Sequence, residues 1–161
     1  MDKLIYSLIL VLSINFISQA MQVTTSDKSN KEEKSLAVVK AAREGDISLF
    51  YQLFSEDIDV NQKDEYGRTA LHYATLRGTI AIFHKLANSA DIDANVQDND
   101  GVTPLRMAAA DRSVLCILAL LELNADPYIK DKTGVSAADN AKQEGCTEMV
   151  TLFERFKKND N

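Results

Sequence analysis

Asp64-Glu65-Tyr66-Gly67 recurs as Asp98-Asn99-Asp100-Gly101 and again as Asp131-Lys132-Thr133-Gly134, with the glycines 34 and then 33 residues apart. No other feature of the chain constrains its fold as tightly. A unit this short cannot bury an apolar face alone, so the copies have to stack on one another. Two residues after each glycine comes a matched hexapeptide: Thr69-Ala70-Leu71-His72-Tyr73-Ala74, Thr103-Pro104-Leu105-Arg106-Met107-Ala108 and Ser136-Ala137-Ala138-Asp139-Asn140-Ala141. A second marker keeps the period, with Gly45, Gly78, Arg112 and Gly145 spaced by 33, 34 and 33 residues.

Apolar residues at i, i+1, i+4 and i+5 follow each of these markers, which makes one face of a helix. The sets are Leu49, Phe50, Leu53 and Phe54; Ile82, Phe83, Leu86 and Ala87; Cys116, Ile117, Leu120 and Leu121; then Met149, Val150 and Phe153, with Glu154 in the fourth place. Each unit therefore reads as turn, short helix, tight turn, longer helix. The Asp of each turn can accept backbone N–H groups across it, and the Gly supplies a positive φ at its tip. Thr or Ser caps the short helix, and Pro104 occupies a first position where the N–H has no helical partner anyway. Ala41, Ala74, Ala108 and Ala141 let paired helices approach closely.

This pattern resembles the ankyrin repeat in its period, its Asp-x-x-Gly turn, its Thr-Pro-Leu-Arg-x-Ala signature and its Ala125-Asp126-Pro127. The resemblance covers residues 35–157 as four units, 35–63, 64–97, 98–130 and 131–157. It implies an all-α solenoid of helix-turn-helix units joined by β-hairpin loops. The end units are atypical, as end caps should be. The first lacks the Asp-x-x-Gly turn, and the last carries Asp139 and Asn140 where inner units are apolar. Arg112 and Asn124 stand where the family has Gly, and an extra residue is expected to bulge the loop between Ala90 and Ala94.

The first 20 residues read differently. Lys3 gives a short positive start, Leu4 to Ile17 is apolar apart from Ser7, Ser13 and Asn15, and Ser18-Gln19-Ala20 has the small residues of a cleavage site. This is the layout of a secretory signal cut between Ala20 and Met21. An uncleaved anchor is the rival, but 14 residues fall short of the roughly 17 to 25 that span a bilayer. Residues 21–34 read as a flexible leader and 158–161 as a tail. Export places the protein in the periplasm or outside the cell, with no stable membrane span after cleavage.

The net charge of −6 argues against nucleic acid and anionic membranes as partners. Two cysteines and two histidines are too few for a disulfide framework or a zinc site. No catalytic constellation, cofactor site, calcium loop or small-molecule substrate is evident. A lone His72 in the signature is expected to brace a turn, His84 to face solvent and Cys116 to be buried. The remaining function is protein binding by a monomeric module, either in the exported compartment or, alternatively, as an effector that sequesters or mimics a protein inside a host cell.

By the same resemblance, partners contact the hairpin tips and the inner-helix ends, a concave surface. Here those positions are Arg43 and Glu44, then Glu65, Tyr66, Arg68, Leu76 and Arg77. Asn99, Asp100, Val102, Ala110 and Asp111 follow, and then Lys132, Thr133, Val135, Gln143 and Glu144. Tyr66, Arg68, Leu76 and Arg77 form the most promising group, because Tyr and Arg are frequent binding anchors.

Overall fold

A computed structural model describes residues 27–159. The expected signal segment, residues 21–26 of the leader and residues 160–161 lie outside the described residues. Among the described residues there are eight helices and no strand. Helix α1 covers residues 27–44. It is followed by α2 (Ile47–Leu53), α3 (Ala70–Arg77), α4 (Ile80–Ala87), α5 (Pro104–Ala110), α6 (Val114–Glu122), α7 (Ala137–Gln143) and α8 (Thr147–Asn159). Odd-numbered helices form an inner row, in which α3, α5 and α7 pack side by side, and each is backed by its even-numbered outer helix. The alanines permit this: Ala41, Ala74, Ala108 and Ala141 are all at most 1% exposed. The apolar face anticipated on the outer helices is buried in α4, α6 and α8 through Ile82, Leu86, Ile117, Leu120, Met149 and Phe153. In α2, Phe50 is buried but Leu49 is exposed, because no earlier outer helix among the described residues covers it.

The turn inside each unit repeats atom for atom. Backbone N–H groups of Asp46, Thr79, Ser113 and Cys146 donate to the carbonyls of Ala41, Ala74, Ala108 and Ala141 at 2.9 to 3.0 Å. That is the six-to-one bond of a Schellman ending, which needs a left-handed residue just before the donor. Arg112 adopts it with φ 53 and Asn124 does the same after α6 with φ 59. The residue types that depart from Gly thus keep the geometry of Gly.

Two boundaries differ from expectation. Residues 27–34, anticipated as flexible leader, are helical, because without an Asp-x-x-Gly turn nothing interrupts α1 there. Leu36 holds the place where later units have the capping Thr or Ser, and Ser35 stands one residue before it. The Ser35 hydroxyl donates to the Lys31 carbonyl (2.8 Å) and accepts the Asp59 N–H (2.9 Å). At the other end α8 runs to Asn159, into the expected tail.

The extra residue of the second unit is also elsewhere than expected. Ile58 N–H donates to the Ser55 carbonyl, and Ile92 N–H donates to that of Ser89. The two turns therefore match at a spacing of 34, whereas the preceding caps Asp46 and Thr79 match at 33. The insertion is absorbed at Asn88, the C-cap of α4, and not between Ala90 and Ala94. Asn61 explains why the loop keeps its shape. Its side chain donates to the Asp91 carbonyl (2.6 Å) and accepts the Asp93 N–H (2.9 Å), pinning that loop to the unit before it. Asn95 does the same one unit on, with the Asn124 carbonyl and the Asp126 N–H.

Candidate protein-binding face

The hairpins that connect units are built from the aspartates at their bases. Asp64 Oδ1 accepts the N–H groups of Tyr66 and Arg68, each at 3.0 Å. Asp98 Oδ1 accepts those of Asp100 and Val102, and Asp131 Oδ1 those of Thr133 and Val135. A backbone bond closes each turn, from Asp64 to Arg68, Asp98 to Val102 and Asp131 to Val135. No ladder extends beyond these bonds, so the hairpins contain no strand.

Neighbouring tips are tied to each other. Asn99 N–H donates to the Tyr66 carbonyl and Lys132 N–H to the Asp100 carbonyl, both at 2.9 Å. The Asn99 side chain also donates to the Glu65 carbonyl. Gly67, at φ 74, lets this contact form, since a Cβ there would lie 2.7 Å from the Asn99 backbone nitrogen. The tips therefore make one continuous hydrogen-bonded row.

His72 joins the row to the helices. Its Nδ1 accepts the Thr69 N–H at 3.1 Å and lies 2.9 Å from the Thr69 hydroxyl. With Nδ1 accepting, Nε2 carries the proton and donates to the Val102 carbonyl of the next unit (3.1 Å). The ring is fully buried, and that burial pushes its pKa down to about 4. The expected bracing role is thus an inter-unit one. Asp139 stands at the same place in the last unit. Its carboxylate accepts from the Ser136 N–H and hydroxyl, which hold it below the usual carboxylate range. The polar residue that looked like a departure is a capping box.

Ion pairs occupy much of the face. Arg43 Nη1 lies 2.7 Å from Glu65 Oε1. Glu65 is held below its ordinary value by its own backbone N–H and then by Arg43. The pair is exposed, so water and salt screen it and it adds little to stability. Arg68 Nε reaches Asp98 Oδ2 at 3.2 Å, and Arg106 Nε lies 3.6 Å from Asp131 Oδ2. Arg112 Nε bonds Glu144 Oε2 at 2.9 Å. Tyr73 donates its hydroxyl to Asp64 Oδ2 at 2.6 Å, and burial and then Asp64 push its pKa up to about 12.

The residues expected to bind a partner therefore divide. Arg68 is spent on Asp98. Arg77 lies across Gly45 and donates to the Arg43 carbonyl, closing the end of α1. The Asn99 side chain is held by the Glu65 carbonyl of the unit before it, and that of Thr133 serves its own turn. Val102 is half-buried and gives its carbonyl to His72. Arg43 and Glu65 face each other. Tyr66 and Leu76 stand outward at 55% and 47% exposure, and Glu44, Asp100, Asp111 and Lys132 are exposed around them. Leu36 on α1 joins this face unexpectedly. With Lys40, Arg43 and Glu65 it lines a groove of about 230 Å³ beside the first hairpin. Its sequence signal was its place off the buried Ser35, Val38, Val39, Ala42 stripe.

A larger cleft, about 1030 Å³, lies between the start of α1 and the ends of α2 and α4. Lys28, Lys31 and Lys85 alternate there with Glu32, Glu56 and Asp91, so no single charge is concentrated. Among the described residues no cluster of His, Cys, Asp or Glu could hold a metal ion, and both cysteines are free. No described helix is long and apolar enough to cross a membrane.

Comparison with known proteins agrees with this architecture. The family model described as ankyrin repeats (3 copies) matches residues 38–131. An alpha-latrotoxin, Lg1a, of Latrodectus geometricus is 41% identical over 62% of the chain and 7% of its own length. The ankyrin repeat protein nuc-2 of Neurospora crassa is 31% identical over 71% of the chain and 11% of its own. A putative ankyrin repeat-containing protein of Treponema pallidum is 30% identical over 85% of the chain and 45% of its own. The chain thus spans less than half the length of each of these relatives. From its period, its turns and the family model that covers most of its repeats, the chain belongs to the ankyrin-repeat family.

Proposed function

We propose that the protein is a non-catalytic binding module that captures a partner protein on its hairpin and inner-helix face. The observation that carries this is the exposure of two apolar side chains, Tyr66 on a hairpin tip and Leu76 near the end of α3, on a scaffold whose tips are locked by backbone hydrogen bonds. A rigid scaffold with outward aromatic and aliphatic anchors loses little conformational entropy when it binds. The test is affinity capture from the native compartment followed by mass spectrometry. A partner should be captured by the protein and lost with Tyr66→Ala/Leu76→Ala, a pair that leaves the structural arginines intact. Retention of the same partner by that variant would move the site elsewhere.

Export belongs to the same proposal and rests on the three-part pattern of residues 1–20. Terminal sequencing of the native protein should begin at Met21. A protein that keeps residues 1–20 would contradict cleavage, and its discovery inside a host cell would favour the effector role.

A further inference from the structure

Most of the exposed large apolar side chains are not on the hairpin face. The first residues of α2, α4 and α6 are Ile47, Ile80 and Val114, and they are 42, 49 and 55% exposed. One turn further on, Tyr51 and Leu118 are exposed as well, and Leu115 is the most exposed of all. The row of first residues is apolar in three units and ends at Thr147 of α8, whereas Ser48 and His84 interrupt the other two rows and Glu148 and Thr151 end them. Solubility alone would favour polar residues at these places, as α8 has them.

Between α4 and α6 these rows border a groove of about 220 Å³. Ile80, Phe83, Leu115 and Leu118 wall it, while Ala74 and Gly78 line it with minimal side chain. A Cβ placed on Gly78 would meet nothing within 4 Å, so the space above that backbone is open. Glu122 is the one carboxylate among the described residues that line the groove, it has no described partner, and His84 lines the groove as well. Lys85, the residue after His84, sits 4.9 Å over the Phe54 ring and does not line the groove. The groove is therefore apolar with a single acidic group at its edge.

We propose that α4 and α6 form a second docking surface, for an amphipathic basic helix of a partner protein whose apolar side chains enter this groove while a Lys or Arg meets Glu122. Two outer helices related by one repeat run parallel, and the trough between them suits apolar side chains spaced three and four residues apart. The carboxylate of Glu122 selects a basic partner over an acidic one.

The probe is a labelled synthetic helical peptide with Leu on one face and Lys on the other, titrated into the full chain by fluorescence anisotropy. Two controls accompany it: the same peptide with Glu for Lys, and a scrambled order of the Lys version. The Lys peptide should bind saturably and at least about tenfold more tightly than either control. Leu118→Asp should weaken it by a similar factor with an unchanged circular dichroism spectrum. Because Leu118→Asp adds negative charge, mere electrostatic attraction would instead strengthen binding. Tyr66→Ala/Leu76→Ala should leave peptide affinity unchanged, which separates this surface from the hairpin face. Equal binding of the scrambled peptide, or undiminished binding by Leu118→Asp, would overturn the proposal. So would a dimer, seen by sedimentation, that Leu118→Asp dissociates, or co-sedimentation with phosphatidylcholine vesicles in place of peptide binding.

Discussion

His72 is held between its own helix cap and the carbonyl of the next unit, so its protonation state is coupled to stacking. Its folded pKa of about 4 lies below the ordinary 6.5. The unfolded chain takes up the proton first. Stability is therefore complete above pH 6.5 and falls as pH drops from 6.5 towards 4, by up to about 3 kcal/mol. Urea midpoints measured from pH 7 to pH 4 should show this slope, and His72→Gln should start lower but run flat across the same window. Glu65 and Asp139 act below that range. Their folded values are depressed, so what they contribute is present above the ordinary carboxylate pKa and is lost only as pH falls through the folded value. At this scale the sequence was legible wherever a residue acts on its own turn: the Asp, Gly and Thr positions could be read directly. Arg68, Arg77 and Asn99 could not, because their partners lie a whole unit away.

Helix α6 carries the densest part of the core, with Ile117, Leu120 and Leu121 at most 2% exposed. Leu120→Ala should cost about 2 to 5 kcal/mol in denaturant unfolding, since flanking units limit collapse of the cavity. A loss below about 1 kcal/mol would contradict the packing. The end of α4 makes a different prediction. Deleting Asn88 restores the spacing of the first unit and should be tolerated within about 1 kcal/mol. Deleting Asp91 removes a loop residue whose carbonyl Asn61 holds, and it should cost more. Equal costs would place the insertion in the loop after all. That location was not legible because Asn88 to Asp91 has no apolar signature separating a helix end from a loop. Only the Ser89–Ile92 turn and the Asn61 bonds decide it. The helical residues 27–34 were hidden in a similar way, by a polar composition that suits a solvated helix as well as a leader.

Across the whole molecule, the repeat period encodes the stack and the departures from it encode the surfaces. The inner row presents Tyr66, Leu76 and Leu36 among paired charges. The outer row presents apolar side chains beside Glu122. The hairpin positions were legible from the resemblance to the family, though five of the chosen residues, Arg68, Arg77, Asn99, Val102 and Thr133, are engaged within the fold and Leu36 beside them was not among those chosen. The outer rows were not, because Ile80 and Leu115 read as more of the helix core pattern until burial separated them from Ile82 and Ile117. On the proposed reading the hairpin face binds protein through Tyr66 and Leu76. Calorimetric titration of the captured partner against the protein and its Tyr66→Ala and Leu76→Ala variants tests it most directly. At least one substitution should weaken binding by about 30-fold, the effect of losing an anchor of about 2 kcal/mol, with the circular dichroism spectrum unchanged. Affinities within about twofold of the unaltered protein for both variants would contradict it.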